Sequence, residues 1–114
     1  MPNGLQTKTK TMTVAASGTT SSAVEVEDDL LYGIDVPTLT SGTLKFQGSV
    51  DEGATYRDIY DEFGNICLSF ATGTGAFHIG ASACRHLAGC SHIQAVCGAA
   101  QGSARAITLY MRRQ

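Results

Sequence analysis

Residues 43–49 read TLKFQGS. In an extended chain Leu44, Phe46 and Gly48 fall on one face and Lys45, Gln47 and Ser49 on the other, because successive side chains of a strand point to opposite sides. DEGA (Asp51–Ala54) follows and reads as a tight hairpin turn, with Gly53 free to take a positive φ. TYRDIY (Thr55–Tyr60) returns with imperfect alternation: Tyr56, Asp58 and Tyr60 share one face, Arg57 and Ile59 the other. This strand–turn–strand unit sets the period for the rest of the chain.

Outward from it, short apolar runs broken by turn residues recur in both directions. Upstream, Lys8–Val14 alternates weakly, GTTSS (Gly18–Ser22) is a turn, and Ala23–Val26 places Val24 and Val26 on one face. Leu30–Val36 is apolar and ends at Pro37, which has no N–H to donate to a ladder. Downstream, DEFGN (Asp61–Asn65) is a turn, followed by ICLSF (Ile66–Phe70), the TGTG break (Thr72–Gly75) and AFHI (Ala76–Ile79). Ala104–Arg112 closes the chain with Ile107, Leu109 and Met111 on one side. Gly80–Gly89, GASACRHLAG, is bounded by glycines and reads as a connection between sheets with one helical turn. About eight strands at spacings of roughly 8–12 residues predict an all-β fold of antiparallel strands, a sandwich or a barrel.

The chain has 114 residues and a net charge of −2. One domain of this length buries a core without staples. Balanced charge argues against a nucleic-acid partner held by a basic face. No apolar run approaches the roughly 20 residues that span a bilayer, so no membrane is expected. The polar start, MPNGLQTKTKTMT, lacks an apolar signal core, so synthesis in the cytoplasm, with reduced thiols, is the expectation.

The stretch Ala83–Cys97, ACRHLAGCSHIQAVC, holds three cysteines and two histidines. Structural zinc sites pair ligands as C-x2–4-C or H-x3–5-H. Here Cys84 and His86 are two apart, as are Cys90 and His92, and Cys97 stands alone, a spacing that permits zinc without specifying it. A disulfide is disfavoured in a reducing compartment. The plainer reading makes Cys67, Cys84, Cys90 and Cys97 small hydrophobes in or near the core, with no metal and no other cofactor. No protease signature surrounds the cysteines, and GTGAFHIG (Gly73–Gly80) lacks the lysine of a phosphate-binding loop, so no enzyme activity is expected. Asp58, Asp61, Glu62 and Asn65 do not follow the twelve-residue calcium loop and read as a solvated turn. The acidic run Glu25, Glu27, Asp28 and Asp29 either guards a strand edge or docks on basic residues of a partner.

Phe46–Asp61, FQGSVDEGATYRDIYD, resembles the strand–turn–strand signature of galactose-binding-like jelly rolls. Over about residues 8–112 the chain is also similar to small virion proteins of tailed bacteriophages: a Thr/Ser-rich polar start, this hairpin, a glycine-bounded loop, and a closing strand, here GSARAITLYMRR (Gly102–Arg113). It departs from them at Gly89–Gly98, GCSHIQAVCG, where small residues replace an aromatic-rich strand. The resemblance implies a jelly-roll sandwich over residues 14–114, preceded by an N-terminal arm over residues 1–13. It implies a head decoration, or cement, protein: a homotrimer on the capsid exterior of the virion, bound to the major capsid protein. Lys8, Lys10, Glu25, Glu27, Asp28, Asp29, Arg112 and Arg113 are then the candidate partner-binding residues. The alternatives are a carbohydrate-binding module for host-surface adhesion and another virion component, such as a head-fibre or tail-base protein.

Overall fold

A computed structural model describes residues 7–26, 29–40, 42–60, 62–66, 68–72, 76–87 and 89–113. The strands are β1 (Thr7–Val14), β2 (Val24–Glu25), β3 (Asp29–Val36), β4 (Gly42–Ser49), β5 (Arg57–Asp58), β6 (Ser69–Thr72), β7 (Phe77–Ile79), β8 (His92–Cys97) and β9 (Arg105–Arg113). Between β7 and β8 runs the expected helical turn, α1 (Ala81–Cys84), continued as a 3-10 turn over Arg85–Leu87.

One sheet has the order β1-β9-β3-β7; the other runs β2-β8-β4, with β5 and β6 both on the far flank of β4. All pairings are antiparallel. Because β5 faces Gln47 and Gly48 while β6 faces Gly42–Lys45, the two act as one edge strand interrupted over residues 59–68. Counted so, β1-β9-β3-β7 and β2-β8-β4 with its edge strand are the two four-stranded sheets of an eight-stranded jelly roll, the architecture expected from the sequence.

Alternation decides which face is dry. Met12 and Val14, Leu44 and Phe46, Ile93 and Ala95, and Ile107, Leu109 and Met111 point between the sheets and are fully buried. A slip of one residue in any of these strands would turn its whole apolar set outward, so the core itself fixes the register. Strand β3 keeps its apolar residues inward by a different device. Leu31 pairs with Met111 and Gly33 with Tyr110, so Tyr32 is an extra, bulged residue and both Leu31 and Ile34 face the core. Close approach explains one glycine: a Cβ on Gly98 would stand 2.5 Å from Thr43 Oγ1 and 3.0 Å from its backbone nitrogen.

Two local expectations are corrected. Residues 7–13, assigned to an arm, form most of β1, paired along its length with β9, so 13/14 is not a boundary in the fold; residues 1–6 lie outside the described residues. The turn after β4 is a wide loop rather than a tight hairpin, because side-chain oxygens outcompete a ladder for its N–H groups. Ser49 Oγ donates to Asp51 Oδ1 at 2.6 Å and accepts the Gly53 N–H at 2.9 Å. Asp51 Oδ1 accepts the Thr55 N–H, and Ser91 Oγ accepts the Glu52 N–H. Glu52 joins Gly53 at positive φ (60° and 87°).

Candidate partner-binding surface

The charged candidates, far apart in sequence, meet at one end of the sandwich. Arg112 sits between Thr7 of β1 and Leu30 of β3, Arg113 is opposite Asp29, and Lys8 is opposite Met111. Lys10 shares the inward side of β1 with Met12 but reaches across to the other sheet, where its ammonium donates to the Glu25 carbonyl oxygen at 2.7 Å. The Arg112 guanidinium lies 4.4 Å above the ring of the bulged Tyr32, itself 6.5 Å from the Tyr110 ring, and its buried Nε has no hydrogen-bond partner. The strand positions of these acidic and basic candidates therefore gather toward one corner. Glu27 and Asp28 lie outside the described residues.

The outer face of the second sheet carries a polar row. Gln94 donates to Gln47 Oε1 at 2.9 Å, Gln47 donates to Asp58 Oδ1 at 3.0 Å, and Lys45 Nζ is 3.0 Å from the same carboxylate. The Gln47 amide, and after it Lys45, hold the Asp58 carboxyl below the ordinary carboxylate range. Ser49 and the Thr55 N–H do the same for Asp51. These polar atoms take one another as partners and tie β8, β4 and β5 together.

Three of the four cysteines are described, and all three are free thiols. Desolvation pushes Cys84 up to about 11 and also raises Cys90 and Cys97, with Arg105 opposing the rise at Cys97. Cys84 is buried while His86 is exposed; Cys97 faces the core while His92 lies on the outer side of β8. Cys90 packs so closely on Gly48 that a Cβ there would run into its Sγ. Among the described residues no group of three or more His, Cys, Asp or Glu side chains is placed to hold a metal ion. Cys67 lies outside them.

Two apolar features escaped the sequence reading. The first is a cavity of about 480 Å³ at the end of the sandwich where the Val50–Glu52 loop meets α1 and its 3-10 turn. Val26, Leu31, Leu87 and Cys90 line it, Leu30 and Val50 stand exposed beside them, and Arg85 and Glu52 supply its charges. The second is the hairpin that interrupts the edge strand. A bridge between Tyr60 and Ile66 closes it, Gly64 turns it at φ 85°, and Tyr60, Phe63 and Ile66 are exposed. The signal for it was present in DEFGN, a turn with a phenylalanine at its tip, where a solvated loop has no use for one.

No family model matches the chain, and no curated protein matches it in sequence. Among solved structures it superposes on YomS, an SPBc2 prophage-derived protein, with a TM-score of 0.58 and 12% identity, over 98% of this chain and 97% of that one. Looser likenesses are to a protein of the disulfide-linked pili that form Bacillus endospore appendages (TM-score 0.48, 14% identity, 100% of this chain and 94% of that one) and to the Tobacco streak virus coat protein (0.42, 12%, 99% and 88%). The first shows a shared fold over the full length; the other two are too loose to support an argument.

Proposed function

We propose that this protein is a structural component of a bacteriophage virion, a cement protein that binds the outer surface of the capsid as a homotrimer and clamps neighbouring major capsid protein subunits. The observation that supports this most is the full-length jelly-roll likeness to a prophage-derived protein at matching chain length. The role is mechanical and involves no chemical step. Each protomer would bury apolar surface on the shell, at about 25 cal/mol per Å², and a trimer would multiply three modest contacts into one stable attachment. The corner of Lys8, Lys10, Glu25, Asp29, Arg112 and Arg113, carrying both signs of charge, suits the rim of such a contact, where complementary charge sets orientation and partner choice.

The test is co-sedimentation of the purified protein with expanded capsids of a phage that encodes it. Saturation at a fixed copy number per shell, and shells that survive heating or osmotic shock better when decorated, are the expected results. Binding to a glycan array with none to capsids would overturn the reading in favour of carbohydrate recognition.

A further inference from the structure

The cavity between the Val50–Glu52 loop and α1 is not isolated. A second hollow, of about 460 Å³, adjoins it, and Val50, Gly89 and Cys90 belong to the walls of both. The two differ in chemistry. The first is aliphatic: Val26, Leu31 and Leu87 are buried in its bed, and Leu30 and Val50 stand 54% and 81% exposed beside it. Cys84, kept a neutral thiol by burial, adds apolar wall. The second hollow is polar, with Asp51, Thr55, Arg57, Asp58 and His86 around it. Each volume lies in the range of roughly 300–1,000 Å³ usual for small-molecule sites.

The charges of the polar hollow are not equally available. Asp58 is held by Gln47 and Lys45, and Asp51 by Ser49 and the Thr55 N–H. Among the described residues the Arg57 guanidinium has no ion pair and no hydrogen bond, and neither has that of Arg85 beside the apolar half. An anion entering the polar hollow therefore meets an uncommitted guanidinium and carboxylates that are already engaged. Glu52, beside the apolar half, is the exception among the described walls.

We propose that the two hollows form one binding site for a single-chain aliphatic carboxylate, with the tail between Leu30, Val50 and Leu87 and the carboxylate reaching past Val50 and Cys90 to Arg57. Size permits it. A void of about 150 Å³ holds a benzene molecule, so the apolar half, at about 480 Å³, has room for a chain of about ten carbons. The planar guanidinium matches a carboxylate with two parallel N–H···O bonds. The tail supplies most of the affinity, since each methylene removed from water is worth about a fourfold gain. A neutral apolar molecule leaves Arg57 unanswered, and a short carboxylate leaves Leu30 and Val50 in water. This site needs no capsid and stands apart from the cement reading.

The experiment is isothermal titration calorimetry of the full chain with decanoate, below the concentration at which it forms micelles. One molecule is expected to bind per chain, with a dissociation constant of roughly 10–100 μM. Octanoate, two methylenes shorter, should bind about tenfold more weakly, and decyltrimethylammonium, with the same tail and a cationic head, should bind at least about tenfold more weakly than decanoate. Val50→Asp and Arg57→Gln change exposed positions, so both variants should keep the wild-type circular dichroism and melting curve. Val50→Asp sets a carboxylate where the ligand crosses and should weaken decanoate at least about tenfold. Arg57→Gln should weaken decanoate about tenfold and leave decanol unchanged, whereas a merely structural effect would move both. The proposal is overturned if the wild type shows no saturable binding of decanoate, or binds it no more tightly than octanoate or decyltrimethylammonium. It is equally overturned if Val50→Asp binds as the wild type does, or if Arg57→Gln leaves decanoate unchanged or weakens decanoate and decanol alike. Capsid co-sedimentation reads the cement role separately, so either reading can fail while the other stands.

Discussion

Along one flank of β4, β8 pairs without a break from Leu44 to Ser49; along the other, β5 and β6 cover the strand in two pieces around the 60–66 hairpin. The unbroken flank sends Ile93, Ala95 and Cys97 into the core and His92, Gln94 and Val96 outward. The broken flank obeys no such rule. Leu68, buried between the pieces, sits at φ 57°, a conformation a bulky side chain rarely adopts, and the apolar residues of the hairpin face solvent. A strand paired on both sides and dry on one face is fully determined by alternation. An edge paired on one side only can open, and here it opens around apolar side chains that the core does not use.

The largest effect that would break this comparison concerns Phe46, fully buried on β4 beneath the unbroken flank. Phe46→Ala should cost about 3–5 kcal/mol, a large share of the roughly 5–15 kcal/mol that holds a domain together. Phe70→Ala, on β6 of the broken flank, removes a half-buried ring that meets Phe77 at 5.8 Å and should cost clearly less. Denaturant midpoints at unchanged slope measure both. Equal losses would mean that the broken flank is as integral to the core as the unbroken one.

The same contrast governs what could be read from residues alone. Period-two alternation in Thr43–Ser49 and Ala104–Arg112, closed by glycines and Pro37, was enough for two antiparallel sheets. It failed where side chains overrode the pattern. In Leu30–Val36 the Tyr32 bulge let Leu31 and Ile34 face one way though three apart. In DEGA, the Ser49 and Ser91 hydroxyls, the latter from a strand entry far along the chain, widened a turn that local composition made tight. The charged candidates were visible singly, but their meeting at one corner depends on β9 lying between β1 and β3. The cavity is built by segments around Val26, Val50 and Leu87, which no local motif links.

Cys84 tests whether the helical connection closes its end of the sandwich as dryly as β8 closes the flank. Its thiol is pushed from 9.0 to about 11 by burial, so the folded state resists ionisation that the unfolded chain accepts. Between these values the unfolded state binds fewer protons, and stability falls as pH rises. The full loss from this group is about 2–3 kcal/mol. Urea midpoints measured at pH 8 and pH 11 should therefore drop less for Cys84→Val than for the wild type. An identical drop would show that water reaches the thiol in the native state.

The smallest effect lies on the broken flank. Asp58 joins β5 to β4 through Gln47 and Lys45, and both partners lower its pKa. A carboxyl whose folded pKa is depressed contributes stability that is present above its unfolded value, about 3.9, and is lost as pH falls through the folded value. Asp58→Asn keeps an oxygen for the Gln47 amide and deletes only the charge. The variant should be less stable than wild type at pH 7 by at most about 1 kcal/mol, as befits a part-exposed pair, and the difference should shrink as pH falls below the unfolded value and be gone once the pH lies below the lowered folded value, where the wild-type carboxyl is also neutral. Gln94→Ala, at the unbroken end of the same polar row, removes no titrating group, so its cost should stay constant over that range. If the two variants show the same pH profile, charge does not hold the broken flank in place, and β5 stays beside β4 through its backbone ladder alone.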